Sequence, residues 1–385
     1  MRRASAAMGL LTALALLAGA ARAELPKPPA ETAQLPVMLL VDLGSGQVLA
    51  ARRPDLSFVP ASVTKVMTVA VALREIEAGR LAPDRTFTVS PQTAARWSGK
   101  GTSLYVKAGD RLSADTLLHA IATVSANDAS IVLAEGYAGS VARWAALMNA
   151  EARRLGMTHS RYATPNGWPD GGRTYVSAGD LVRLSRELLV RHRVGYHRYF
   201  GQRRMTWGGR TQQSHDPVTG VVAGADGIKT GFTREAGYNF LGSAERDGRR
   251  LVMVVAGAKS EAERAAASRA LLEWGFSAWQ KRALFGAGEV VASARVQQGD
   301  ARRVPLRAPA AIHASIPAGT RPGIRLRVVY KGPLVAPVAK GAHVADLEIA
   351  VAGMAPSRVP LVAGKAVGTA GPFDRLLNGL MGLLS

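Results

Sequence analysis

Ser62 and Lys65 stand three residues apart at the head of an apolar run, Ser125 and Asn127 flank a single alanine, and Lys229-Thr230-Gly231 follow as a tripeptide. A serine hydroxyl is a poor nucleophile until a base removes its proton in place. One helical turn brings Lys65 onto the same face as Ser62. A lysine can be that base only where burial or a second cation lowers its pKa, and Lys229 is the candidate cation. A helix start beneath Ser62 would also favour a developing oxyanion, with the Ser62 N–H as one donor. The chemistry indicated is acyl transfer through a serine ester. A Ser-x-x-Lys pair or a Ser-Ala-Asn triplet is weak alone, because many helices carry one by chance. The three together, in this order, make a strong signal.

Several elements must position these groups. Val37 to Asp42 and Gln47 to Arg52 predict a hairpin around Gly44-Ser45-Gly46. After Pro60-Ala61, residues 62–78 have few helix breakers and apolar residues on every face, which predicts a buried helix with Ser62 at its start. Residues 113–189 alternate helical stretches with loops, as in Ser140 to Leu155, and Ser125-Ala126-Asn127 should end one apolar helical run. Asp226 to Thr233, Tyr238 to Arg246 and Arg250 to Ala258 read as strands, the last two joined at Asp247-Gly248. Ser260 with Glu263 forms a capping box for a helix ending near Trp274-Gly275. Strands at both ends of a helical middle imply an α/β fold, a sheet flanked by helices with an inserted helical subdomain.

From about Leu284 the texture changes to short alternating runs such as Val290 to Val296 and Ile324 to Tyr330, which predict a second, small all-β domain serving as spacer or docking module. Phe373, Leu376, Leu377, Leu380, Met381 and Leu384 then repeat at helical spacing behind Pro372, an amphipathic C-terminal helix too short to span a bilayer. It lies in a membrane interface, or it packs on its own domain or frays, a reading that Gly379 and Gly382 support by weakening the helix. At the other end, Arg2 and Arg3, the apolar stretch Met8 to Ala20, and Ala21-Arg22-Ala23 before Glu24 have the three parts of a secretory signal. The expected organisation is thus signal peptide 1–23, catalytic domain 24–282, β domain 283–371 and tail helix 372–385.

Composition narrows the classes. The chain has 385 residues, no cysteine and a formal charge of +21. Without cysteine there is no thiol nucleophile and no lipoprotein anchor, and packing alone must hold an exported fold. The seven histidines make no metal-ligand pattern, so no metal or other cofactor is implied. Export points the positive charge towards membrane phospholipid or wall-polymer carboxylates. Nucleic acid would need a basic cluster with stacking aromatics, which the sequence lacks.

Longer phrases support a specific resemblance. Pro60-Ala61-Ser62-Val63-Thr64-Lys65, Ser125-Ala126-Asn127-Asp128-Ala129 and Asp226 to Thr233, with Leu155-Gly156-Met157 and Ala236-Gly237-Tyr238-Asn239, resemble the low-molecular-mass penicillin-binding proteins, specifically the D-alanyl-D-alanine carboxypeptidases. The β domain and tail match that layout too. The resemblance implies a penicillin-binding/β-lactamase-like fold and a peptidoglycan stem peptide ending in D-Ala-D-Ala as substrate, with β-lactams as covalent inhibitors. Ser62 would attack the penultimate D-Ala carbonyl and Lys65 would take its proton. Ser125 would relay a proton to the leaving amine, and Asn127 would hold the substrate amide and Lys65. Lys229 and Thr230, in the motif completed by Gly231, would bind the terminal carboxylate. The N–H groups of Ser62 and Phe232 would form the oxyanion hole. Arg264 matches an arginine that helps recognise the carboxylate; by pattern alone it equally suits an exposed helix position. Phe232 stands where histidine is common, and Asn166-Gly167-Trp168 where some members have His-Gly-Leu.

Three rivals remain. A secreted serine β-lactamase shares the acylation machinery, but no Glu-x-x-Leu-Asn loop lies between Ser125 and Lys229, and the extra domain argues against it. A D,D-endopeptidase would use the same residues on a cross-linked substrate. A catalytically silent wall-binding protein conflicts with the intact motifs.

Overall fold

The computed structural model describes residues 25–371, so the expected signal peptide and tail helix lie outside the described residues. Five antiparallel strands form the first sheet, in the order Val48–Arg52, Val37–Asp42, Arg249–Ala258, Gly237–Arg246, Ala225–Thr233. Side chains alternate across a strand, and here both faces are covered. Val37, Leu39 and Val41 join Val252 and Val254 against the helical lobe, while Met38 and Leu40 join Met253 and Val255 against Leu271 and Leu272 of the helix Glu261–Ser277. That double burial is why these strands are almost continuously apolar.

The two hairpins form as expected, the second turning on Asp247 and Gly248, both with positive φ. Two helical expectations need correction. The Ser62 helix opens as a 3₁₀ turn, Ala61–Thr64, and becomes α-helical only at Lys65–Glu77. Ala61, at φ 50°, reverses the chain just before the serine, so regular geometry cannot begin there. Ser125 does not end a helix either. The helix Ala114–Thr123 stops first, Ser125 sits at φ 62° in the break, and Asn127 opens the helix Asn127–Ala138. The capping box is also modified: Ser260 Oγ accepts from the Glu263 N–H at 3.1 Å, but Glu263 reaches back to the N–H of Lys259, and the helix continues to Ser277.

Residues beyond 285 build a separate apolar core within a six-stranded sheet, in the order 324–329, 343–351, 357–363, 303–307, 290–297, 334–335. The strand Trp279–Phe285 crosses the expected 282/283 boundary and pairs with Ile312–Pro317. The junction is polar. Asp42, buried at the end of its strand, accepts from Arg249 Nε at 2.8 Å, Ser315 Oγ at 2.8 Å and His313 Nε2 at 2.9 Å, while Arg249 Nη1 donates to Trp279 O. Burial opposes its ionisation, but His313 and Arg249 outweigh that and hold its pKa near 2, below the ordinary 3.8.

Because that folded-state value is depressed, the stabilisation is fully present above pH 4 and is lost as pH falls towards 2, about 2 kcal/mol in all. Asp42→Ala strands a buried guanidinium and is expected to cost about 3–5 kcal/mol in urea unfolding at neutral pH. A loss below about 1 kcal/mol, the scale of an exposed pair, would show that the junction does not depend on this carboxylate.

Candidate active site

The 3₁₀ turn carries Ser62 to the edge of a cleft of about 660 Å³, and the next turn drops Lys65 beneath it, wholly buried. Lys65 Nζ lies 2.8 Å from Ser62 Oγ, 2.8 Å from Asn127 Oδ1 and 2.7 Å from the backbone O of Asn166. An unprotonated amine has two N–H donors and one lone pair. The two carbonyl oxygens match the donors and leave the lone pair for the Ser62 hydroxyl proton. Burial, and then the charge of Lys229, push the Lys65 pKa well below the ordinary lysine range; Asp128 pulls the other way.

The Ser125–Asn127 segment is fixed from several sides. Thr102 Oγ1 donates to Ser125 O, Asn127 N–H donates to Thr102 O, and Asn127 Nδ2 donates to Lys100 O. Next along, the buried Asp128 carboxylate accepts from Ser103 Oγ at 2.5 Å and from the N–H groups of Leu104 and Ala129 at 2.9 and 2.8 Å. It pins residues 103–106 to a helix N-terminus, where a negative charge is favoured.

The third wall is the edge strand Ala225–Thr233, and Gly231 lets it approach. A Cβ there would fall 2.4 Å from Pro60 O and 3.1 Å from Val63 N, so only glycine allows the strand against the Ser62 turn. Gly167 brings a further backbone segment against the same turn, where a Cβ would meet Ala61 O at 1.8 Å. Lys229, on this strand, is buried and donates to Thr230 O at 3.2 Å. Burial and the neighbouring Arg264 push its pKa down to about 7, against the pull of Asp216.

Ser62, Ser125, Asn127, Thr230, Gly231, Phe232 and Arg264 all line the cleft, with Lys65 and Lys229 below its floor. Phe232 is 49 % exposed and stacks on Tyr238 at 4.2 Å between ring centroids. Arg264 is 3 % exposed, ion-paired to Glu261 at 2.7 Å, with its guanidinium 5.7 Å from the Tyr238 ring centre; it is not an exposed helix arginine. Sequence reasoning did not name the Asn166 carbonyl, Asp128, His215 or Tyr238 as site groups. A backbone oxygen carries no residue signal, and the others join the site only through folding. Among the described residues no group of three His, Cys, Asp or Glu could hold a metal ion.

A family model described as D-alanyl-D-alanine carboxypeptidase matches residues 23–260. The chain belongs to the D-alanyl-D-alanine carboxypeptidase family. A second family model, the C-terminal domain of penicillin-binding protein 5, matches residues 279–369. This family member is 34 % identical over 356 residues to D-alanyl-D-alanine carboxypeptidase DacD of Salmonella typhimurium, covering 91 % of the chain and 90 % of the relative. It superposes on penicillin-binding protein 5 from Haemophilus influenzae with a TM-score of 0.73 at 27 % identity, over 89 % of this chain and 99 % of that one. Penicillin-binding protein D2 from Listeria monocytogenes, solved in an ampicillin-bound form, is 29 % identical with a TM-score of 0.57, over 63 % of this chain and 97 % of that one. The architecture is that of penicillin-binding protein 5, a penicillin-binding/β-lactamase-like domain followed by an all-β domain.

Removing the Lys229 cation must relax the Lys65 amine. In Lys229→Met the pKa of Lys65, read by NMR of isotope-labelled lysine, is expected to rise; no change would mean that burial alone sets it.

Proposed function

We propose that this protein is a serine-type D-Ala-D-Ala carboxypeptidase that removes the terminal D-Ala from peptidoglycan stem pentapeptides. The observation that carries this reading is the buried Lys65 amine 2.8 Å from Ser62 Oγ, at the floor of an open cleft with a cationic end. The family and the first relatives named above support the substrate class.

The terminal carboxylate docks at Thr230 and Arg264 over Lys229. Lys65 takes the hydroxyl proton as Ser62 Oγ attacks the penultimate D-Ala carbonyl, and the N–H groups of Ser62 and Phe232 receive the oxyanion. Ser125 passes a proton to the departing amine, D-Ala leaves, and Asn127 holds the acyl chain and Lys65. Water then attacks the ester, returning the proton to Ser62 and releasing the shortened peptide. β-Lactams present a similar carbonyl and carboxylate and acylate the same serine, in keeping with the ampicillin-bound relative. The division into a peptidase domain over 24–282 and a β domain over 283–371 belongs to the same proposal, supported by their separate cores.

Export by residues 1–23 and peripheral attachment to the outer face of the cytoplasmic membrane by residues 372–385 complete the reading. Among the described residues no helix is long and apolar enough to cross a membrane. Deleting residues 372–385 is expected to move the protein from the membrane pellet to the supernatant; unchanged sedimentation would sink the tail assignment.

Ser62→Ala is expected to abolish both labelling by a fluorescent penicillin and release of D-Ala, and surviving label would disprove the nucleophile. In a mass-read digest of pentapeptide and cross-linked muropeptides, loss of one D-Ala is expected, whereas cleavage of dimers would favour an endopeptidase. The pH profile of kcat/KM should be bell-shaped. It rises as Lys65 loses its proton and falls above about pH 7, where Lys229 stops offering a charge to the carboxylate. In Lys229→Arg, whose side chain stays charged, the alkaline limb should disappear.

A further inference from the structure

Residues 283–371 carry eleven lysines and arginines against four acids. Those acids are already engaged. Glu289 accepts from the Gly286 N–H and Asp300 from the Gly368 N–H, Asp346 pairs with His343, and Glu348 accepts from Arg327 and Arg358. Strand alternation then puts much of the excess charge on one surface. Ala294, Leu306, Ile349 and Leu361 join Ile312 and Ile316 of another strand in the β-domain core, so one face of the six-stranded sheet is closed. Arg295, Arg303, Arg307 and Arg358 alternate with those core residues and lie on the other face, where the register places Arg327 beside Glu348 and Arg325 beside Ala350. All six arginines are exposed.

They form a diagonal stripe. Arg325, Arg327 and Arg358 stand at one corner, the last two flanking Glu348 on neighbouring strands. Four residues along from Arg358, Val362 pairs with Arg307, and four residues further in the same direction Arg303 pairs with Arg295. Four residues of strand span about 13 Å, so cations recur at that interval across the sheet. Most of this charge is not cancelled. Arg303 donates to Ser293 Oγ and Arg307 to Gly288 O, both uncharged, and the guanidinium of neither Arg295 nor Arg325 has a partner among the described residues. Neighbouring strands rotate by roughly 20–25°, and four steps separate the strands of Arg325 and Arg295. A face twisted this far fits a strand-like polyanion along its diagonal and does not lie flat on a bilayer.

We propose that this face of the β domain is an exosite for a linear, carboxylate-bearing wall polymer, the peptidoglycan strand whose stem peptides the cleft trims. Guanidinia grip carboxylates as planar two-pronged donors. Each exposed pair is weak, but several engaged by one polymer hold the enzyme on it and raise the local concentration of stem peptide at the cleft. For its substrate class the exosite rests on the carboxypeptidase reading; it adds a holding surface outside the catalytic domain.

Co-sedimentation of the whole chain with purified wall sacculi, and separately with phosphatidylglycerol vesicles, tests it. In the triple variant Arg303→Gln/Arg307→Gln/Arg325→Gln, binding to sacculi at low salt is expected to weaken about tenfold, with kcat/KM on a soluble tripeptide ending in D-Ala-D-Ala unchanged. A control that loses the same charge from exposed arginines outside the β domain, Arg143→Gln/Arg153→Gln/Arg161→Gln, should bind sacculi as the wild type does. Undiminished binding by the stripe variant, an equal loss in the control, or a loss confined to the vesicles would overturn the exosite. A wild type that releases no D-Ala from the tripeptide would remove the carboxypeptidase reading instead, while sedimentation still decides the face.

Discussion

The site depends on taking a lysine amine out of water. In solvent, the Lys65 ammonium would keep its proton and Ser62 would remain an ordinary alcohol. Burial makes the charged form costly, and a second buried lysine on the adjoining strand adds repulsion. An isolated pair of buried lysines would destabilise any fold. Here carbonyl oxygens from Asn127, Asn166 and Thr230 accept from the two amines, and carboxylates at Asp128 and Asp216 temper the repulsion.

That requirement explains the shape of the surrounding backbone. Three segments distant in sequence must close over one amine, and each does so by an irregularity. Ala61 and Ser125 adopt left-handed φ values that side chains rarely take, a local strain the surrounding packing must hold. Gly231 and Gly167 each bring backbone into contact with the Ser62 turn. The regular elements are the frame: a sheet buried on both faces, a helix behind it, and the Asp128 carboxylate tying a loop to a helix start. Rigid elements place groups more accurately than loops, and the irregular residues sit at their ends.

The Asp42 junction applies similar physics to a different end. There a buried carboxylate, not a buried amine, collects donors from the five-stranded sheet and from the strand Ile312–Pro317, and its depressed pKa shows that the partners win over desolvation. The cleft lies at the opposite end of the 237–246 strand, since Tyr238 lines the cleft and Arg246 pairs with Glu273 near the end of the following helix.

The sequence by itself carried the motifs, the strands of the five-stranded sheet, the helical lobe and the change to all-β texture. These are local quantities, set by spacing, alternation and turn chemistry. It could not place the start of the Lys65 helix or the break at Ser125, because both are irregular backbone held by tertiary contacts from Gly167, Gly231 and Thr102. Nor could it separate a buried Arg264 from an exposed one, or disclose that the Asn166 carbonyl faces the Lys65 amine. Residue types and their order determined which chemistry was available. Only the tertiary structure decided the burial of Lys65 and Lys229, and with it their proton affinity, because desolvation depends on everything packed around a group and on nothing in its own name.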